Sequence, residues 1–134
     1  MTEKEKNILI VDDDSSIQEL MRIILTKNGY NVHQATDGEQ AIHLFMEVAP
    51  DLVISDISMP KGDGFNVAII IRNKERSLGR KVPILLISAF YDDHANVENA
   101  ERCGADAVLS KPFTQKPLIA AVEKLLEGDN EPAG

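Results

Sequence analysis

Four apolar runs in this sequence each stop on a residue able to do chemistry. NILIV stops on Asp12 and Asp13, LVI on Ser55 and Asp56, VPILLI on Ser88, and AVL on Ser110 and Lys111. Such runs read as buried strands of a parallel sheet, whose carboxyl ends all lie along one edge. That edge would gather carboxylates, a hydroxyl and an ammonium. Crowded carboxylates repel one another and need a cation, and hard oxygen ligands favour a hard one such as Mg²⁺. A cation, a hydroxyl and an ammonium around a central carboxylate suit a phosphoryl group, because its transfer rests on positioning and charge stabilisation. Asp56, flanked by the others, is the expected nucleophile.

The elements that must position these residues follow from the hydrophobic period. After Asp56 come Met59-Pro60 and Gly62-Asp63-Gly64, turn formers that cannot continue a strand. After Asp14 the period becomes helical, with Ile17, Leu20, Met21, Ile24 and Leu25 on one face and Asn28-Gly29 as the stop. Ser15 with Gln18, or Ser16 with Glu19, would form its capping box. Tyr30 to Ala35 is a more polar strand suited to a sheet edge, and a helix from Asp37-Gly38 to Pro50 buries Ala41, Leu44, Phe45 and Val48. The dense apolar segment between Phe65 and Arg76 has no clear period, but two parallel strands require a crossover, normally helical. Arg76 to Lys81 reads as a solvated basic loop, and Asp92 to Cys103 as a helix stopped by Gly104. Thr114 caps a last helix that buries Leu118, Ile119, Val122, Leu125 and Leu126. Strands alternating with helices in this way predict an α/β domain with a doubly wound parallel sheet over residues 7–126. Residues 1–6 form an N-terminal extension and 127–134 a fraying, flexible C-terminal tail.

Composition narrows the function. A chain of 134 residues, 43% hydrophobic, suits one domain with one core. Its net charge of −8 disfavours binding to phosphate backbones, so direct nucleic-acid contact is not expected. The lone Cys103 excludes an internal disulfide, and no apolar run approaches a membrane span, so a cytoplasmic setting without membrane insertion is expected. His33, His43 and His94 lack metal-ligand spacing and read as surface or packing residues. Asp14 reads as a cap or surface charge, and Asp37, Asp63, Asp92 and Asp93 as turn or helix-start residues.

The ordered motifs ILIVDDD, DLVISDISMP with its following Gly-Asp-Gly, PILLISA and GADAVLSKPF resemble the receiver domains of two-component response regulators, in the single-domain, CheY-like form. Each motif alone is weak; their joint order and spacing is not. The resemblance implies a flavodoxin-like (βα)5 fold with strand order 2-1-3-4-5. It implies Asp56 as phosphoacceptor, Asp13 as direct metal ligand with Asp12 as its supporting partner, and the Ser58 backbone carbonyl as a further ligand. Ser88 would be the switch hydroxyl and Lys111 the partner of the phosphoryl group, with a cis bond before Pro112. The metal would be Mg²⁺, with Mn²⁺ able to substitute. A sensor histidine kinase or histidine phosphotransfer protein would donate the phosphoryl group. The face made by the fourth helix, fifth strand and fifth helix would then carry the signal to a protein target. Such a chain is a phosphoacceptor signalling domain rather than an enzyme, though able to catalyse its own phosphorylation and dephosphorylation.

One departure stands out. Receivers usually carry an aromatic residue three positions before the lysine, and Val108 stands there, so an aromatic rotamer switch cannot operate at that site. Other classes fit less well. A flavin-binding module would need a Gly- or Ser/Thr-rich phosphate loop where this chain has three aspartates, and an aspartate-based phosphohydrolase would want a general acid where Ser58 stands. A receiver segment of a larger regulator or hybrid kinase, or a docking receiver that does not use phosphorylation, remains an alternative.

Overall fold

A computed structural model describes residues 6–57, 64–79, 81–88 and 102–130. Five strands, β1 (Asn7–Val11), β2 (Asn31–Ala35), β3 (Leu52–Asp56), β4 (Ile84–Ser88) and β5 (Ala107–Ser110), alternate with helices α1 (Ser15–Lys27), α2 (Gly38–Val48), α3 (Gly64–Leu78) and α4 (Gln115–Asn130). The strands pair in parallel in the order β2-β1-β3-β4-β5, the predicted doubly wound topology. The helix predicted over Asp92 to Cys103 lies outside the described residues except at its end.

The apolar runs hide an alternation that the sequence alone does not display. In β1, Ile8 and Ile10 enter the layer beneath α1 and α4, while Leu9 and Val11 enter the layer beneath α2 and α3. The same division sends Leu52 and Ile54 one way and Val53 the other, and likewise Leu85 and Ile87 against Ile84 and Leu86. A strand buried on both faces must be apolar at every position, because its side chains alternate between two cores. The helices complete the layers with Met21, Leu25, Leu118 and Val122 on one side and Ala41, Phe45, Val67 and Ile71 on the other.

Two local expectations are corrected. The first helix is capped by Asp14, one of the two roles expected of it, and not by a serine box: its Oδ1 accepts from the amides of Ser16 at 2.9 Å and Ile17 at 3.3 Å. Serine and aspartate are comparable caps, and the residue nearer the strand end takes the position. Glu19, freed from that box, forms a surface pair with Arg22. The last helix also runs beyond Leu126 to Asn130, continuing its hydrogen-bond ladder after the apolar face has ended.

Helix α2 ends on Ala49 in a left-handed conformation, φ 51°, ψ 64°, its amide donating to the Phe45 carbonyl. An L-residue there costs about 1–2 kcal/mol, against an entropic cost of about 0.4–1 kcal/mol for placing glycine in the unfolded chain. Ala49→Gly is therefore expected to stabilise the fold by about 0.5 kcal/mol, read as a small rise in urea midpoint with unchanged slope; a fall in midpoint would contradict it.

Candidate functional site

Strand register brings the predicted residues to one edge. Val11 lies opposite Ser55, which sets Asp12 level with Asp56. Asp56 lies opposite Ile87 and Ser88 opposite Ser110, so Ser88 and Lys111 follow one step further along. The amide of Lys111 donates to the Ser88 carbonyl at 2.9 Å, tying the lysine's backbone to the end of β4. The Lys111-Pro112 peptide is cis, as the resemblance implied.

Carboxylate oxygens of Asp12, Asp13 and Asp56 lie within 4.8 Å of one another. Asp12 and Asp56 are buried, whereas Asp13 is exposed. The Lys111 ammonium sits 3.4 Å from Asp56 Oδ1 and 3.8 Å from Asp12 Oδ2, close enough to offset charge. Asp12 Oδ1 accepts from the Asp14 amide at 2.8 Å. Its Oδ2 has no hydrogen-bond partner among the described residues, although it is buried. Burial pushes the Asp12 carboxyl up to about 6, with Asp56 and Asp13 adding to the rise and the Asp14 amide and Lys111 opposing it. A buried oxygen with no hydrogen-bond partner among the described residues, facing two further carboxylates, fits a hard cation.

Ser88 is buried at the end of β4. Ser58 lies outside the described residues, as do Asp63, Asp92, Asp93 and His94. Val108 is half-buried and packs against the α2/α3 layer. The other histidines stand apart: His33 lies 3.2 Å from Asn7 Oδ1 and His43 lies 3.7 Å from Glu47. Asp37 caps α2 through the Gln40 amide, the role expected of it. An open groove lined by Gln40, Ile42, His43, Met46 and Lys74 contains none of the clustered residues. One residue at the edge was not foreseen. Gln18 is buried and its side-chain amide donates to the carbonyl of Asp12 at 2.7 Å and to that of Ala35. Its signal was present, since it shares the buried stripe of α1 with Met21 and Leu25.

Fold and site together define a class, and the comparisons agree: the chain belongs to the response regulator receiver domain family, whose profile matches residues 8–123. Receivers are signalling domains rather than enzymes of the usual kind. The chain is 39% identical over 131 residues to the probable transcriptional regulator ycf27 of Guillardia theta, covering 98% of this chain and 49% of that protein. It is 38% identical over 119 residues to the DNA-binding dual master transcriptional regulator RpaA of Synechocystis, covering 89% and 48%. Among solved structures, the chemotaxis protein CheY4 of Vibrio cholerae superposes with a TM-score of 0.85 at 27% identity, covering 91% of this chain and 99% of that one.

The chain thus spans about half the length of the curated relatives it matches. The expectation of no direct nucleic-acid contact is corrected by these relatives, since RpaA is named as DNA-binding. The charge of −8 counts only the residues in hand and carries no information about the other half of such proteins. No helix among the described residues is long and apolar enough to cross a membrane.

Proposed function

We propose that this receiver accepts a phosphoryl group on Asp56 from a phosphohistidine of a sensor kinase or phosphotransfer protein, with a divalent cation present, in the cytoplasm. The observation that carries the reading is the buried Oδ2 of Asp12, which has no hydrogen-bond partner among the described residues and lies within a three-carboxylate cluster, 3.8 Å from Lys111. Asp12, Asp13 and Asp56 would hold Mg²⁺ or Mn²⁺, with the Ser58 carbonyl as a further ligand. When bound, the ion supplies positive charge for the phosphoryl oxygens. An Asp56 carboxylate oxygen attacks phosphorus, the P–N bond breaks, and the imidazole leaves with its electron pair. Lys111, already 3.4 Å from Asp56, pairs with the transferred group, and the Ser88 hydroxyl turns to donate to it. Movement of Ser88 shifts the population between two states of the face around β5.

Intact mass after incubation with acetyl phosphate, with and without Mg²⁺, tests this. The expected result is a cation-dependent gain of one phosphoryl group that Asp56→Asn abolishes. A gain that survives in the variant places the acceptor elsewhere, and no gain from either acetyl phosphate or a phosphohistidine donor overturns the reading. The likeness to RpaA and ycf27 points the output toward transcription. A transcriptional response unaltered in cells carrying Asp56→Asn would refute that part.

A further inference from the structure

We propose that Gln18 is a positioning residue for the cation site, holding Asp13 in place through the backbone; the inference rests on the function proposed above. Its side-chain nitrogen donates to the carbonyl oxygens of Asp12, at 2.7 Å, and Ala35. Both partners are acceptors only, so the group between them must be the NH₂ end of the amide, with one hydrogen for each. The residue is 5% exposed.

Of the two carbonyls, that of Asp12 is the one that needs such a donor, since the Ala35 carbonyl already accepts from a backbone amide. The Asp12 amide still pairs with Ala35 at 3.1 Å, but the β1–β2 register ends at Val11 and Ala35. Beyond that point the ladder supplies no further donors, and a buried carbonyl without one is costly. Gln18 closes the carboxyl ends of both strands at once from the first turns of α1.

The consequence for the site follows from peptide planarity. The Asp12 carbonyl belongs to the same rigid unit as the Asp13 nitrogen, so fixing its direction limits where Asp13 can send its carboxylate. Asp13 is exposed, so packing among the described residues does little of that work. The Asp14 amide holds the Asp12 side chain on the other side, and the Asp14 carboxylate caps the helix that carries Gln18. Helix α1 and the acidic turn therefore form one closed set of hydrogen bonds. A group that orients metal ligands in this way is worth about 10–100-fold in metal affinity.

The test is Mn²⁺ binding to the folded chain, read as free Mn²⁺ by electron paramagnetic resonance, for wild type, Gln18→Met and Gln18→Asn. Met keeps the length and loses both donors; Asn keeps the amide but cannot span both carbonyls. Far-UV circular dichroism selects a temperature at which the proteins are fully folded, and either variant suffices should the other not fold. Both variants are expected to bind Mn²⁺ about tenfold more weakly. In the acetyl phosphate reaction the Mg²⁺ concentration for half-maximal rate should rise by a similar factor, with the rate recovering at saturating Mg²⁺. Residue Gln18 acting only in folding would lower thermal stability and leave Mn²⁺ affinity of the folded chain unchanged, which would overturn the proposal. Wild type that binds no Mn²⁺ would instead overturn the cation site itself, and this inference with it.

Discussion

Asp12→Asn is expected to stabilise the metal-free receiver by about 2–3 kcal/mol at neutral pH and above, while sharply weakening its hold on a divalent cation. Burial, reinforced by Asp56 and Asp13, raises the Asp12 carboxyl from 3.8 to about 6. A carboxyl raised on folding binds its proton more tightly in the folded state than in the unfolded one. Below the unfolded value of 3.8 both states carry the proton, and Asp12 costs nothing. Between 3.8 and about 6 the unfolded chain releases its proton first, so stability falls as pH rises, and above about 6 the penalty is complete. An amide of the same shape carries no charge to bury. It can still accept from the Asp14 amide at the Oδ1 position, and its NH₂ can donate toward the neighbouring carboxylates where Oδ2 has no hydrogen-bond partner among the described residues. Urea unfolding in a chelator, followed from acid to neutral pH, should show wild type and variant converging below 3.8, separating as pH rises from there to about 6, and running parallel above it. Curves that stay parallel across that window would mean the carboxylate is not desolvated. Saturating Mg²⁺ should close most of that gap, because a ligand at about a hundred times its Kd adds about 2.7 kcal/mol to the protein that binds it.

The same acidic edge shows what sequence reasoning can and cannot reach. NILIV and VPILLI were legible as strands because burial on both faces demands apolar side chains at every position. Asp12, Asp56, Ser88 and Lys111 were legible as neighbours because parallel strands bring their carboxyl ends to one edge. Strand order came from the motif resemblance, since no local pattern encodes which strand lies beside which. Helix caps were harder. Asp14, Ser15 and Ser16 are all good caps, and only the length of β1 decides among them. Gln18 escaped because an amide among apolar residues looks like a tolerated exception until the two carbonyls above it are seen. Arg72 left no trace at all: its partners at Val82, Gly104 and Asp106 lie 10, 32 and 34 residues away.

Loss of that arginine is the largest destabilisation expected among the described polar residues. Arg72 projects from α3 at the edge of the sheet opposite the acidic cluster, where its guanidinium gathers the starts of β4 and β5. It donates to the Gly104 carbonyl at 2.7 and 2.9 Å, to the Val82 carbonyl at 2.8 Å, to Glu75 at 2.6 Å and to Asp106 at 2.7 Å. The two carboxylates in turn accept from the backbone at the start of β4, Glu75 from the Val82 amide and Asp106 from the Ile84 amide. Side-chain exposures of 20% for Arg72, 11% for Glu75 and 22% for Asp106 keep water from replacing these bonds fully. Arg72→Met keeps the apolar stem and removes every donor, leaving two carbonyls short of partners and two carboxylates facing each other. Lys81, 3.3 Å from Asp106 and itself 68% exposed, can offset little of that charge. The cost should be about 2–4 kcal/mol, read as a lower urea midpoint with an unchanged slope. Arg72→Lys should recover less than half of it, because an ammonium cannot reach two carbonyls and two carboxylates as a planar fork does. Recovery to wild-type stability by lysine would show that charge alone, not the geometry of the fork, holds α3 to the strands. Cation binding at the opposite edge should be unchanged in both variants while they remain folded, since none of the Arg72 partners belongs to the acidic cluster.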